Sequence, residues 1–248
     1  MQRFYISDQI LGSDFSLHKS HDIYYQLSKV LRAQVGDELV FFDWISMNDM
    51  RYSIQEISWS QISFCCIDTL KKHSEAPLQL HLYQALPNKV SKIEYILQKA
   101  VEVGYTRFVF FRSQRSQKLM LSPAKIQRLN KIIIEAVEQS SRNSIPELLI
   151  QENFSALTPQ AQHIGIYFHT QDWVHARSLS ARCADLNTTQ IAGIDILVWP
   201  EGGFTPQEVE VFDTLWYQAS YLGERILRCE TVSSVVGFYI MQALADEK

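Results

Sequence analysis

The hydrophobic period of this 248-residue chain changes once, across the polar stretch Lys71-Lys72-His73-Ser74-Glu75-Ala76-Pro77, and that change constrains the fold more than any other feature. Before it the β-rich runs are short: RFYI from Arg3, ELVFFDW at 38–44, RYSIQEI at 51–57 and QISFCCIDTL at 61–70. Gly36-Asp37 and Met47-Asn48-Asp49 separate them, so a small barrel or sandwich is expected. One helical turn interrupts the strands, with Ile23, Leu27, Val30 and Leu31 on one face. The polar stretch ends in proline and reads as a linker, dividing the chain into residues 1–72 and 73–248.

Past the linker, apolar β-rich runs alternate with helical patterns. LQLHLYQAL (78–86), FVFF (108–111), IGIYFH (164–169) and IDILVW (194–199) read as buried strands, with a shorter one near 219–222. A helix is predicted over 91–103, with Ile93, Ile96, Leu97 and Ala100 inward and Gly104 as its stop. The next runs from Ser122-Pro123 to about Ser141, and 171–185 has a looser helical pattern. Thr205-Pro206-Gln207-Glu208 is a capping box that starts a helix with Val209, Phe212, Leu215 and Trp216 inward. The last helix, about 231–245, has Val235, Val236, Tyr239, Ile240 and Ala243 to bury. Repeated β-then-α units imply an α/β domain with a mostly parallel sheet, whose ligand lies in the loops beyond the carboxyl ends of the strands.

Charge is uneven along the chain. The net charge is −4, yet residues 76–150 carry 11 Lys/Arg against 5 Asp/Glu, whereas 151–248 carry 5 against 12. A basic segment of that kind supplies phosphate contacts while the rest of the molecule stays acidic, although a solvated helix face has the same composition. No run approaches the roughly 20 apolar residues of a membrane helix, and the opening MQRFYISDQILGSD has no signal-peptide pattern, so a cytoplasmic protein is expected. Cysteines 65, 66, 183 and 229 form no C-x-x-C and have no histidine at ligand spacing. Reduced thiols, no disulfide framework and no metal are therefore expected.

Three loops stand out. Pro200-Glu201-Gly202-Gly203 follows a buried strand and precedes a capped helix, where paired glycines let the backbone approach a ligand; a plain tight turn reads the same. Leu222-Gly223-Glu224-Arg225-Ile226-Leu227-Arg228 places an apolar pair between arginines, enough to sandwich a flat ring. Glu135, Glu138 and Arg142 share a face at the end of the basic helix. The G-x-G-x-x-G and P-loop fingerprints are absent, as is any readable Ser-His-Asp or Cys-His arrangement.

Taken in order, these segments resemble one family. Q-K-x-x-E-x-G (98–104), S-Q-R-S (113–116), E-A-x-E-Q-x-x-R-x-x-x-P (135–146), P-E-G-G-F-x-x-x-E (200–208) and L-G-x-R-I-L-R-x-E-T (222–231) look like the RsmE family of ribosomal RNA methyltransferases. K-V-L-R-x-x-x-G-D (29–37) matches too, so the resemblance spans nearly the whole chain. It implies a small PUA-like RNA-binding β-barrel at 1–72, then a SPOUT domain at 73–248 whose C-terminal part is threaded into a trefoil knot, one of the rare exceptions to un-knotted topology. It further implies S-adenosylmethionine as methyl donor, a homodimer, and methylation at N3 of one uridine, U1498 of 16S rRNA, on naked RNA or on the assembled small subunit.

By the same resemblance the cofactor lies among Phe168, His169, Trp199, Pro200, Glu201, Gly202, Gly203, Leu222, Gly223, Ile226, Leu227 and Arg228. Arg115 and Arg142 are candidates to stabilise the developing imidate, with Glu138 or Glu201 as proton acceptor. Arg3, Lys29, Arg32, Lys118, Lys125 and Arg128 are expected to hold RNA phosphates. The chain departs from the family pattern at Trp199, where glycine is usual, and at Tyr105 and Val232, where valine and alanine are usual. The rival readings are a nucleotide-dependent enzyme of another class and an RNA-binding factor that keeps the fold without the cofactor.

Overall fold

The computed structural model describes residues 1–7, 12–43, 48–70, 75–76, 78–154, 157, 160–168, 176–186 and 190–245. It divides into two compact units: Met1–Glu75 with Val137–Ile145, and Ala76–Ala136 with Pro146–Lys248. Most of the expected linker, including position 72, lies outside the described residues.

In the first unit, β1 (Gln2–Tyr5), β2 (Phe15–His18), β3 (Glu38–Phe42), β4 (Asp49–Ile57) and β5 (Gln61–Leu70) form one curled sheet in the order β1-β3-β4-β5-β2. The β1–β3 pair is parallel and the others antiparallel. Alternation puts Leu39 and Phe41 of β3, Tyr52 and Ile54 of β4, and Ile62 and Phe64 of β5 on one face, where Phe4 and Leu17 join them. The rings pack edge to face: Phe41 lies 5.6 Å from Tyr52 and 5.1 Å from Phe64. The small barrel expected of this region is thus a half-barrel with β1 and β2 as its edges. Strand β2 is missed by sequence reasoning because only Leu17 among its four residues is buried. The expected helical turn is α1 (Asp22–Tyr25) running into a π-helical stretch, Gln26–Leu31, which Arg32 ends in a left-handed conformation at φ 52°.

The second unit carries a seven-stranded sheet. Its strands are β6 (Gln79–Ala85), β7 (Arg107–Phe111), β8 (Glu147–Gln151), β9 (His163–Phe168), β10 (Arg177–Ser178), β11 (Gly193–Val198) and β12 (Gln218–Tyr221), in the order β10-β12-β9-β11-β6-β7-β8. Every pair is parallel, as continuous burial on both faces of β11 requires. Its helices are α2 (Val90–Val103), α3 (Pro123–Ser140, whose last residues belong to the first unit), α4 (Leu179–Ala184), α5 (Pro206–Thr214) and α6 (Cys229–Ala245). Gly104 ends α2 in the left-handed region at φ 113°, where a Cβ would be strained. The capping box of α5 is formed in both directions. Among the described residues, no helix is long and apolar enough to cross a membrane.

Two helix faces differ from expectation. Trp216 does not face inward: it takes a left-handed conformation just past α5 and is 86% exposed. Val235 and Tyr239 of α6 also remain largely exposed, while Val236 and Ile240 are buried. The cause is that α6 is apolar all round, so its sequence does not mark which side faces the sheet.

Candidate functional site

The carboxyl ends of β6, β7, β11 and β12 bring four loops to one end of the parallel sheet. The stretch after β9, including His169, lies outside the described residues, and Phe168 is buried at the end of that strand. Gln84 fixes the ends of β6 and β11 together. Its fully buried amide nitrogen donates to the carbonyls of Ala85 (3.0 Å), Val198 (3.4 Å) and Trp199 (3.2 Å). The Trp199 indole is itself buried, so the large side chain at this position belongs to the packing beneath the loop.

Beyond it, Gly203 N–H donates to the Pro200 carbonyl (2.9 Å) and closes a tight turn, with Gly203 at φ 71°. Gly202 is required by a close approach, because a Cβ there would lie 3.0 Å from the Cβ of Arg115. Arg115, from the loop after β7, donates to the carbonyls of Gly202 (3.1 Å) and Phe204 (3.2 Å) and so straps the turn from outside. Glu208, with no exposed surface, joins the same two loops: it accepts the N–H of Thr205 (2.9 Å) and of Gln114 (2.9 Å).

Glu201 turns away from its own loop toward α2. Its carboxylate accepts the Asn88 N–H (3.1 Å) and the Lys92 ammonium (2.7 Å), and Lys92 lies 3.7 Å from Glu230 at the start of α6. Partial burial pushes the Glu201 carboxyl up, but the hydrogen bonds from Lys92 and Asn88 outweigh it and hold the group below the usual carboxylate range. Such a carboxylate is a poor proton acceptor. In the loop after β12, Gly223 stands at φ 119° with no atom of the described residues within 4 Å of where a Cβ would be, Ile226 is 73% exposed and Leu227 is half-buried. Arg228 is exposed, and its carbonyl accepts the first N–H groups of α6 from Thr231 and Val232. A glycine turn, a backbone cradle and an unsatisfied apolar pair at the end of a parallel sheet suit a flat, polar-edged ligand.

The other expected residues are placed differently. Arg142 is buried, with its guanidinium on Glu75 at 2.7 Å, and Glu138 accepts the Tyr5 N–H at 2.8 Å. Both are engaged inside the first unit, where a cation desolvated beside a carboxylate is held as structure. Arg3 is not a surface phosphate contact: its side chain is 7% exposed, pairs with Asp49 at 2.7 Å, donates to the Val137 carbonyl and lies over the Phe42 ring. Lys29, Arg32, Lys118, Lys125 and Arg128 are exposed, Arg128 with Glu94 as ion-pair partner at 2.8 Å. Sequence reasoning missed Gln84, Lys92 and the second role of Glu208. Only Glu208 had a signal, its place in the capping box.

Residues 74–241 match the model of an RNA methyltransferase domain. Over 251 residues the chain is 30% identical to the ribosomal RNA small subunit methyltransferase E of Buchnera aphidicola subsp. Acyrthosiphon pisum, covering 98% of this chain and 93% of that one. The Bacillus subtilis protein of the same name is 27% identical over 240 residues, 93% of this chain and 92% of that one. In structure the chain is similar to a ribosomal RNA small subunit methyltransferase E from Neisseria gonorrhoeae bound to S-adenosyl methionine, with TM-score 0.83, 26% identity and 98% of each chain covered. With most of its length matched by the domain model and by relatives of one name, the chain belongs to the RsmE family of RNA methyltransferases.

Proposed function

We propose that the chain is an S-adenosylmethionine-dependent methyltransferase of small-subunit ribosomal RNA, acting in the cytoplasm at N3 of one uridine, U1498 of 16S rRNA. The observation that carries this reading is the joining of the Pro200–Gly203 turn to the start of α6, directly after the Leu222–Arg228 loop, through Glu201, Lys92 and Glu230, at the end of the sheet where a parallel α/β fold binds its ligand. The residues present fit this cofactor. The open space at Gly223 and the exposed Ile226, with Leu227, admit an adenine ring, and the glycine turn presents backbone groups to its ribose. When bound, S-adenosylmethionine supplies a methyl group on a sulfonium.

The chain itself has to hold the uracil in line and favour loss of the N3 proton. Arg115 is the cation of the site: its guanidinium lies across the Gly202 and Phe204 carbonyls and adds positive field beside the loop, which favours the imidate. Trp199, Pro200 and Phe168 support the loop from beneath, and Arg228 stands at its exposed rim. Lys29, Arg32, Lys118, Lys125 and Arg128 hold RNA phosphates. The C-terminal unit is of SPOUT type and knotted, and the enzyme is a homodimer, a reading supported by the exposed Val235, Phe238 and Tyr239 on one face of α6.

The test is calorimetric titration with S-adenosylmethionine of the wild type and of Gly203→Val, with circular dichroism as a check on folding, followed by labelled-methyl transfer to small subunits that lack the modification. Binding lost in a folded variant, and label at N3 of one uridine, are expected. Binding without transfer to small subunits or to 16S rRNA would overturn the substrate. RNA binding with no response to the cofactor would overturn the enzyme in favour of an RNA-binding factor.

A further inference from the structure

At the opposite, amino-terminal end of the same sheet, three strands bring two imidazoles and a carboxylate together. His81 in β6 is paired with Asp195 in β11, and His163, the first residue of β9, is paired with Gly193. Alternation along the strands puts all three side chains on one face. The Asp195 carboxylate oxygen lies 2.8 Å from Nδ1 of His163 and 3.1 Å from Nδ1 of His81, and the imidazole rings are 4.6 Å apart. All three side chains are at most 6% exposed.

Two glycines on that face make the room. A Cβ at Gly193 would lie 2.4 Å from the His163 ring, and one at Gly165, the residue paired with Asp195, would lie 2.7 Å from the Tyr217 ring. The cluster also carries unmet polar valence. Among the described residues, Nδ1 of His81, close as it is to Asp195, has no hydrogen-bond partner, and the buried Tyr217 hydroxyl has none either.

We propose that His81, His163 and Asp195 form a binding site for one divalent transition-metal ion of the zinc class, which pins β6, β9 and β11 together at the end of the sheet remote from the cofactor loops. Imidazole nitrogens and a carboxylate oxygen are the ligands this class of ion takes, about 2.0–2.2 Å from the metal. Ligand atoms around a tetrahedral centre at such lengths are about 3.4 Å apart. The three atoms here all lie within 4.8 Å of one another, so filling the site asks only small side-chain movements. His163 Nδ1 is hydrogen-bonded to the Asp195 carboxylate, whereas Nδ1 of His81 beside the same oxygen is left without a partner among the described residues, a valence that a coordinated cation would satisfy. The ion has a short way in, since Gln79, Ala161, Gln162 and Ala192 at this edge are exposed. No spacing rule reveals the site from the sequence, because its ligands come from three strands, His163 and Asp195 alone being 32 residues apart.

The test uses the full-length chain, stripped with a chelator and dialysed against zinc chloride, with bound metal counted by mass spectrometry and thermal unfolding followed in parallel. One zinc per chain and a raised Tm are expected, and cobalt(II) should give the visible absorption of a low-coordinate nitrogen–oxygen site. His163→Gln and Asp195→Asn should each weaken zinc binding by more than about 100-fold. Cys65→Ser/Cys66→Ser, which removes the two half-buried thiols of β5, should leave it unchanged. Retention of no metal, a cobalt spectrum like that of the hydrated ion, or zinc binding that survives His163→Gln would each overturn the proposal. The cobalt measurement needs no variant and so decides even where a substitution impairs folding. None of these readouts depends on methyl transfer.

Discussion

Lys92 is the residue on which Glu201 of the Pro200–Gly203 turn and Glu230 at the start of α6 converge, and its chemistry makes the convergence pH-dependent. Burial opposes its charge, but Glu201 outweighs burial and raises the ammonium above its ordinary value, while the Glu201 carboxyl is lowered. A carboxyl lowered in the folded state adds stability above its unfolded value of about 4.3, and that stability is lost as pH falls through the folded value. The raised ammonium adds stability below about 10.4, lost as pH rises through its folded value. The pair's contribution is therefore level from about pH 5 to 10. It is below about 1 kcal/mol, since water screens a pair whose side chains are 23% and 30% exposed. Urea unfolding of the wild type and Glu201→Gln should differ by that amount at pH 7 and converge as pH falls through the lowered value of the folded carboxyl. A difference independent of pH would show that Glu201 acts through packing alone. Arg3 answers differently. Arg3→Ala leaves the buried Asp49 with one cation fewer and should cost about 3 kcal/mol, with RNA affinity little changed in the folded fraction, whereas Lys118→Ala should spare stability and lower the salt slope of RNA binding by about 1. The sequence distinguishes these two only by context. A basic residue inside a strand beside apolar neighbours and one in a loop look alike until the carboxylate that faces the first is placed.

At the scale of elements, long periodic segments were legible and short or uniform ones were not. The α2 and α3 helices lie within a residue or so of where their apolar spacing and their Gly104 and Pro123 punctuation put them. Strand β8 has only partly buried or exposed residues and gave no pattern. The loop carbonyls held by Gln84 and Arg115 are tertiary contacts, which no local spacing encodes. One departure from the family pattern gains a physical cause at this scale. Tyr105, where valine is usual, is fully buried after α2, donates to the Ser233 carbonyl (2.7 Å) and fills the space beside Gly237 of α6, where a Cβ would meet its ring at 2.4 Å. Gly237→Ala should therefore cost about 1–3 kcal/mol through overpacking, despite alanine's better helix propensity. Tyr105→Val alone opens a cavity and removes one hydrogen bond, and the double variant should be less destabilised than the sum of the two. Denaturant midpoints of the four proteins form the cycle, and strict additivity would refute the fit of ring to glycine.

At the scale of the whole molecule, the sequence reported the asymmetry of charge and the alternation of strands and helices, and it understated the surface. A helix apolar all round satisfies its inner face within its own chain and leaves the outer face to another body, so α6 combines buried Val232, Val236 and Ile240 with exposed Val235, Phe238 and Tyr239. Spacings of three and four put the exposed residues on one stripe, and Tyr95, also exposed, comes from α2, against which α6 packs. A second copy offering the same stripe would bury it by two-fold symmetry. Under this reading the protein sediments as a dimer at micromolar concentration, and its Tm rises with protein concentration because association stabilises the folded chain. Phe238→Glu places two like charges in that interface while costing little in the isolated chain, where the position faces solvent. The variant should sediment as a monomer with an unchanged circular dichroism spectrum and a Tm independent of concentration. A variant that remains dimeric would place the interface elsewhere.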